Sequence, residues 1–201
     1  MAFDHTGADQ ACPAPAGGEP SKNAEQGRAV IGVIGDGLPG SEREHLAAEV
    51  GRALARAGVH LVCGGLGGCM AGASRGYREG KGEGVCLGLL PGTSRDEANP
   101  YVDLAIPTGV NSAQGALVAM AVDGAIVLGG GGGTLSEVGL LLRDGKPVVA
   151  LDETGGAAQL VGGRKLGRTE VLLAETPGEA VRMVMEAVRA RRTEKALEEE
   201  R

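Results

Sequence analysis

Three glycine-rich segments follow short apolar runs, and their composition suits the binding of an anion. They are Gly35-Asp36-Gly37, Gly64-Gly65-Leu66-Gly67-Gly68 and residues 129–133, the last followed by Thr134. A glycine run between a strand and a helix leaves backbone N–H groups open and adds the dipole of the helix N-terminus. We predict phosphate-binding positions in all three loops: Gly35, Asp36, Gly64, Gly65, Gly67, Gly130, Gly131, Gly132, Gly133 and Thr134. The alternative, that the glycines only form tight turns, fits the first loop best and the five-glycine run least.

Glu137 lies three residues after Thr134, in the first turns of the helix that the last loop opens. A carboxylate at this place interacts favourably with the helix dipole, so one interpretation is a helix cap. The other is that Glu137 faces the ligand as an acid, a base or an acceptor for a ribose hydroxyl. The sequence alone leaves both interpretations open.

Short apolar strands and helices alternate along the chain from residue 29. Strands are predicted at 29–34, 59–63, 84–90, 101–106, 124–128 and 148–151, with a last edge strand at 169–173. Continuous apolar strands separated by helices predict a parallel sheet covered on both faces. Right-handed crossovers then give an α/β, Rossmann-like doubly wound fold in a single domain. Ligands of such sheets bind beyond the carboxyl ends of the strands, where all three glycine loops collect.

The chain divides into three parts by composition. Residues 1–27 are rich in Ala, Pro, Gly and charge, so we predict a disordered N-terminal arm. Residues 28–192 form the nucleotide-binding domain, with a glycine-rich linker after residue 151 and a terminal helix at 176–192. Residues 193–201 are predicted to be a charged C-terminal tail.

Composition excludes several classes of function. The 201 residues include three aromatic side chains and no Trp, which argues against stacking on single-stranded nucleic acid. The net charge of −6 without a basic stripe argues against duplex nucleic acid. No apolar run is long enough to cross a membrane, and no signal peptide is apparent. Four cysteines without a CxxC pair predict free thiols in the cytoplasm, and the scattered histidines predict no metal site.

Two common nucleotide-binding motifs do not fit. The P-loop pattern G-x-x-x-x-G-K-[ST] is absent. Gly35-Asp36-Gly37-Leu38-Pro39-Gly40 matches the dinucleotide fingerprint G-x-G-x-x-G only loosely, and no acidic residue follows the second strand. A nicotinamide dehydrogenase is therefore disfavoured.

The segment from Gly130 to Glu137, GGGGTLSE, resembles the PGGxGTxxE signature of the LONELY GUY family, long described as possible lysine decarboxylases. Four further segments are similar to the family, and the likeness extends over residues 29–151. They are Ile31-Gly32-Val33-Ile34-Gly35, the run VCGGLGGCM at 62–70 (the family's TGGxxGxM), Leu89-Leu90-Pro91-Gly92 with Thr108-Gly109, and Gly145-Lys146-Pro147-Val148.

The resemblance implies a Rossmann-like fold, a homo-oligomer (dimer or tetramer) and a nucleotide site at the glycine loops that includes Thr108, Gly109 and Gln114. The best-known members are phosphoribohydrolases, which release free base and ribose 5-phosphate from cytokinin riboside monophosphates. Others resemble molybdenum cofactor carrier proteins, and the GGGGGTLSE form seen here is closer to that bacterial branch. Neither activity implies a required cofactor, and the molybdenum cofactor would be cargo.

Three positions depart from the family pattern. Gly129 replaces the signature Pro, Ala71 replaces a Glu, and Gln114 stands where the hydrolases have an Arg that acts with the signature Glu. Gln keeps hydrogen-bonding capacity but lacks the fixed positive charge. We therefore predict a carrier-like protein for a nucleoside monophosphate or a molybdopterin-type cofactor. The alternative is a phosphoribohydrolase with Glu137 as its catalytic residue and Arg75 or Arg95 as a substitute cation.

Overall fold

A seven-stranded parallel sheet forms the centre of the protein. The computed structural model describes residues 27–167, 169–199 and 201, so the arm predicted at 1–27 lies outside the described residues except for Gly27. The sheet order is β4-β3-β2-β1-β5-β6-β9, and every neighbouring pair is parallel. Its strands are β1 (Val30–Gly35), β2 (His60–Cys63), β3 (Cys86–Leu90), β4 (Leu104–Pro107), β5 (Gly124–Leu128), β6 (Val148–Leu151) and β9 (Leu172–Ala174). The two-residue strands β7 (Lys165–Leu166) and β8 (Thr169–Glu170) form a separate antiparallel hairpin.

Helices cover both faces of the sheet, which confirms the predicted Rossmann-like α/β fold. They are α1 (Glu42–Arg56), α2 (Cys69–Gly80), α3 (Gln114–Ala121), α4 (Gly132–Arg143), α5 (Gly156–Val161) and α6 (Pro177–Glu199). Side chains of β1 alternate between two apolar cores, since successive residues of a strand point to opposite faces. Ile31 and Val33 pack with α1, α2 and α6, whereas Ile34 packs with α3, α4 and α5.

The strand order places the glycine loops together. The chain runs from β1 outward to β4 and then returns through α3, so that β5 pairs with β1. Successive strands are therefore added on one side of β1 up to β4, and on its other side from β5 onward. In a parallel sheet the carboxyl ends on either side of such a switch leave a crevice for a ligand. The loops after β1 and β5 border this crevice, and the loop after β2 lies beside them.

Helices α1 and α2 approach each other through glycine. A Cβ atom at Gly76 would lie 2.6 Å from the carbonyl carbon of Ala48, and one at Gly51 would lie 2.8 Å from the backbone nitrogen of Tyr77. Atoms at such distances overlap, so neither position accepts a side chain without separating the helices. The helix pair in turn packs on β1 and β2 and builds one of the two cores.

Several boundaries differ from those that the sequence predicts. The glycine-rich linker contains α5, whose Ala157, Ala158 and Val161 are buried against the sheet. The segment predicted as one edge strand is divided between β8 and β9. Helix α6 continues to Glu199, so the boundary predicted at residue 192 falls within a helix.

The cysteines that the structure describes, Cys63, Cys69 and Cys86, are free thiols and are buried. Within residues 27–167, 169–199 and 201, no helix is long and apolar enough to cross a membrane, and no three His, Cys, Asp or Glu side chains cluster as metal ligands would. The tyrosine Tyr77 is buried, and its hydroxyl donates a hydrogen bond to the carbonyl of Val59.

We expect Gly76→Ala to lower the free energy of unfolding by about 1–3 kcal/mol, because the new methyl overlaps the α1 backbone. Gly139→Ala on α4 is the matched control, since a Cβ there meets no atom within 4 Å. That control should raise the free energy of unfolding by up to about 1 kcal/mol through helix propensity. Urea denaturation of both variants measures the difference, and equal effects would contradict the packing of α1 on α2.

Candidate functional site

A cavity of about 460 Å³ opens at the carboxyl ends of β1 and β2, between these ends and helices α3 and α4. Its walls come from β1, the loop after β2, the segment that begins α3, and the first turns of α4. The structure brings parts of all three glycine loops to this one cavity. Seven of the predicted site residues line it: Gly35, Gly64, Gln114, Gly132, Gly133, Thr134 and Glu137. Gly130 and Gly131 come directly before this lining and are not part of it.

The first two residues of the five-glycine run are held by the segment after β6. Gly129 and Gly130 have φ angles of 58° and 88°, in the left-handed region that favours glycine. The Gly129 N–H donates to Thr154 Oγ1 at 3.0 Å. The N–H groups of Ala157 and Ala158 donate to the carbonyls of Gly130 and Gly129, at 2.9 and 3.0 Å. These bonds fix the turn that leads from β5 into α4.

The last three glycines of the run are open. A Cβ atom at Gly131, Gly132 or Gly133 would meet nothing within 4 Å. The first hydrogen bond of α4 runs from the Leu135 N–H to the Gly131 carbonyl, at 3.0 Å. In the part of the chain that the structure describes, the N–H groups of Gly132, Gly133 and Thr134 have no acceptor. Such a helix N-terminus is a favourable site for an anion.

Glu137 faces the cavity and rests on α3. Its side chain lies against Gly115, where a Cβ would come within 2.9 Å of the Glu137 Cγ. Burial raises the pKa of the Glu137 carboxyl from 4.5 to about 7. No backbone N–H of the described residues donates to this carboxylate, so Glu137 does not cap its own helix by a hydrogen bond.

Gln114 begins α3, and its side chain is held at the end of β3. Its Nε2 donates to the Leu89 carbonyl. The same nitrogen and the Met70 sulfur lie 2.8 and 2.6 Å from where a Cβ on Gly64 would be, so only glycine fits beneath them. The amide Oε1 of Gln114 has no donor among the residues that the structure describes, which leaves an acceptor at the cavity.

Neither arginine suggested as a substitute cation lines the cavity. Arg75 pairs with Glu44 of α1 at 3.3 Å, and Arg95 is exposed on the one-turn helix Arg95–Glu97. Glu137 is the one charged side chain among the described residues that line the cavity. No described residue that lines the cavity therefore supplies the positive charge of the family arginine.

Four other predicted site residues lie outside the cavity lining. Gly65 has a φ of 74° and packs on the Leu90 side chain, whereas a Cβ at Gly67 would lie 3.4 Å from the Gly37 carbonyl oxygen. Thr108 Oγ1 donates to the Leu90 carbonyl at 2.7 Å. Gly109, with a φ of 67°, turns the chain after β4. These residues shape the loops beside the site and do not face its interior.

Asp36 also lies outside the lining, in an ion pair that the sequence did not predict. Its Oδ2 is 2.8 Å from Nε of Arg43, in the first turn of α1. Arg43 Nη1 in turn donates to the Thr154 carbonyl at 3.1 Å, and its Cδ lies over Gly129. Arg43 and Thr154 therefore connect the ends of β1, β5 and β6. Thr154 lies three residues after the strand predicted at 148–151, at the edge where the loops gather, whereas Arg43 lies nine residues after the strand predicted at 29–34 and carries no such signal.

A family model described as the SLOG cluster4 family matches residues 28–181. The chain belongs to this family. The match confirms the likeness to LONELY GUY-type proteins. Among curated proteins, an uncharacterized protein of Archaeoglobus fulgidus is 37% identical over 121 residues, 60% of this chain and 78% of that protein.

Solved structures agree with this assignment. The protein TM1055 aligns with a TM-score of 0.72 and 30% identity, over 79% of this chain and 99% of that one. The molybdenum cofactor binding protein of the phototrophic bacterium Rippkaea orientalis aligns with a TM-score of 0.71 and 31% identity, over 80% and 98%. A molybdenum cofactor carrier protein of Chlamydomonas reinhardtii aligns with a TM-score of 0.68 and 30% identity, over 81% and 99%. DNA processing protein A of Helicobacter pylori, at 17% identity and a TM-score of 0.55, shares the fold alone.

Proposed function

We propose that the protein binds a phosphate-bearing small molecule, with the phosphate at the N-terminus of α4, and acts as a carrier of that molecule. The observation that supports this most directly is the set of open N–H groups at Gly132, Gly133 and Thr134, which border the cavity. Backbone donors and a helix dipole bind a phosphate without any cationic side chain. The ligand is a nucleoside monophosphate or a molybdopterin-type cofactor, both of which carry a phosphate monoester. The two named structural relatives favour the second.

The ring of the ligand would lie against aliphatic side chains and glycine backbone. Leu66, Met70 and Leu140 line the cavity, whereas neither Tyr77 nor Tyr101 does. Ring binding then depends on apolar contact and on edge hydrogen bonds to the Gln114 Oε1 and to Glu137. The polarizable thioether of Met70 suits a flat heterocycle, because methionine adapts to irregular surfaces.

We expect Gly132→Asp to weaken binding of AMP and of inorganic sulfate at least about tenfold, since the new carboxylate occupies the N–H groups that receive the anion. Gly139→Asp adds the same charge to an open position of the same helix, farther from its N-terminus, and should bind nearly as the unmodified protein does. Isothermal titration calorimetry measures both affinities. Equal affinities in the two variants would show that the anion does not bind at this helix end.

A phosphoribohydrolase is the second candidate, and Glu137 is the observation that favours it. A carboxyl with a pKa of about 7 suits a general acid at neutral pH. The oxocarbenium-like transition state of glycosidic cleavage also needs stabilising charge near the sugar and help for the leaving base. The cavity has no cation among its described lining residues, so the geometry favours binding over hydrolysis.

Incubation with AMP and other nucleoside monophosphates separates the two candidates. We expect no free base by chromatography, together with thermal stabilisation of the protein by a pterin phosphate or a nucleotide. Glu137→Gln is the control, because it keeps the size of the side chain and removes its acid function. Base release that this substitution abolishes would overturn the assignment as a carrier.

We further propose that the protein forms a homo-oligomer, a dimer or tetramer, through the surface of α3 and β4. Residues 104–122 contain no charged residue, in a chain of which 23% is charged. Apolar side chains on this stretch are nonetheless exposed, up to 65% for Met120. They are Leu104, Ile106, Val110, Leu117 and Met120. An uncharged surface lets two acidic copies associate with little repulsion.

Met120→Lys should convert the oligomer to a smaller species in light scattering, since it places a charge in this interface. Leu197→Lys, on the opposite side of the molecule in α6 and 55% exposed, is the matched control and should leave the mass unchanged. A monomeric unmodified protein, or equal effects of both substitutions, would contradict the proposed interface.

We also propose that the protein acts in the cytoplasm and has no nucleic-acid partner. The free thiols of Cys63, Cys69 and Cys86 support a reducing compartment, the cytoplasm. The net charge of −6, and a cavity whose described lining residues include no aromatic side chain, argue against nucleic acid as a partner.

A further inference from the structure

The cavity combines two features that oppose each other. The open N–H groups of Gly132, Gly133 and Thr134 attract an anion, and the carboxyl of Glu137 lies on the same helix, about one turn farther along. A ligand phosphate and an ionised Glu137 would therefore be like charges in one cavity. Like charges at short distance disfavour the ionised form of the weaker acid.

No charge among the described residues that line the cavity compensates for this repulsion. The residues that β1, the loop after β2 and the start of α2 give to the cavity are apolar or glycine, and those from the start of α3 are uncharged. From α4 itself the one charged residue in the lining is Glu137. Arg43 of α1 is paired with Asp36 at 2.8 Å and lies outside the described lining.

Burial already brings Glu137 close to protonation in the empty protein, because it raises the pKa of this carboxyl to about 7. Near neutral pH both forms are populated, so a small additional bias decides which one predominates. An anion at the end of the same helix supplies that bias toward the neutral acid.

We propose that the cavity takes up one proton from solvent on the Glu137 carboxylate when the anionic group of the ligand binds, so that the loaded protein holds Glu137 as the neutral acid. The inference rests on the proposed anion site. The Glu137 carboxylate takes up one proton and becomes a carboxylic acid, and the ligand anion binds in the same cavity. No other bond is made or broken. In this form the Glu137 hydroxyl is a donor, so the ligand presents an acceptor atom beside it.

The sign of the pH dependence follows from this linkage. The bound state holds more protons than the empty one, so affinity is highest below pH 7 and falls as pH rises above it. The fall in affinity approaches tenfold per pH unit once Glu137 is fully ionised in the empty protein. A rise in pH then favours release of the cargo.

Calorimetry in buffers with different ionisation enthalpies measures the proton uptake directly. Inorganic sulfate is the first probe, since it does not titrate near neutral pH, and AMP is the second. At pH 7.5 we expect uptake of between about a half and three quarters of a proton for the unmodified protein with sulfate, since about a quarter of Glu137 is already protonated in the empty protein. Between pH 6.5 and 8.5 its affinity should fall about tenfold or more.

Two variants complete the test. Glu137→Gln should bind sulfate with no proton uptake and with an affinity that changes less than about twofold over the same pH range. Asp144→Asn, which removes the carboxylate just after the other end of α4, should keep the uptake of the unmodified protein. Sulfate binding without proton uptake, or equal uptake in Glu137→Gln, would overturn this inference and leave the anion site standing. Failure of both probes to bind the unmodified protein at any pH would remove the anion site itself.

Discussion

The geometry of the site depends on the hydrogen bonds that hold Gly129 and Gly130 in left-handed conformations. Thr154 and the first turn of α5 supply these bonds, and Arg43 connects the same segment to Asp36 at the end of β1. Because Gly129 and Gly130 complete the turn that follows β5, α4 begins soon afterwards, with its first N–H groups free. The position of the proposed anion site is therefore set by contacts behind the loop, made by Thr154 and α5. The loop itself consists of glycines, so it has no side chains that could hold it in place.

The sequence predicts the fold, the gathering of the glycine loops and the place of Glu137, because each depends on local pattern and on the rules of parallel sheets. Helix α5 escapes prediction because it has only six residues and glycines flank it on both sides, and burial of Ala157, Ala158 and Val161 stabilises it. The roles of Arg43 and Thr154 depend on which strands become neighbours, and local pattern does not contain that information. The start of α4 at Gly132 has the same origin, because the bonds that fix Gly129 and Gly130 come from Thr154 and α5.

The two faces of the sheet differ in electrostatic character. On the side of α1, α2 and α6, ion pairs such as Arg52–Glu79 and Arg182–Glu186 lie at the surface, where each contributes little to stability. On the other side, residues 104–142 include two charged residues, Asp123 and Glu137. Asp123 is neutralised by Arg192 at 2.7 Å. The cavity thus opens on the face that carries few charges, and burial of the Glu137 carboxyl there raises its pKa to about 7.

The scarcity of aromatic side chains affects the ultraviolet absorption of the loaded protein. The chain has two tyrosines and no tryptophan, and neither tyrosine borders the cavity. The polypeptide is therefore nearly transparent at the wavelengths where purines and pterins absorb. Any such ring retained through purification would dominate the near-ultraviolet spectrum, and that spectrum would report the cargo before any assay is run.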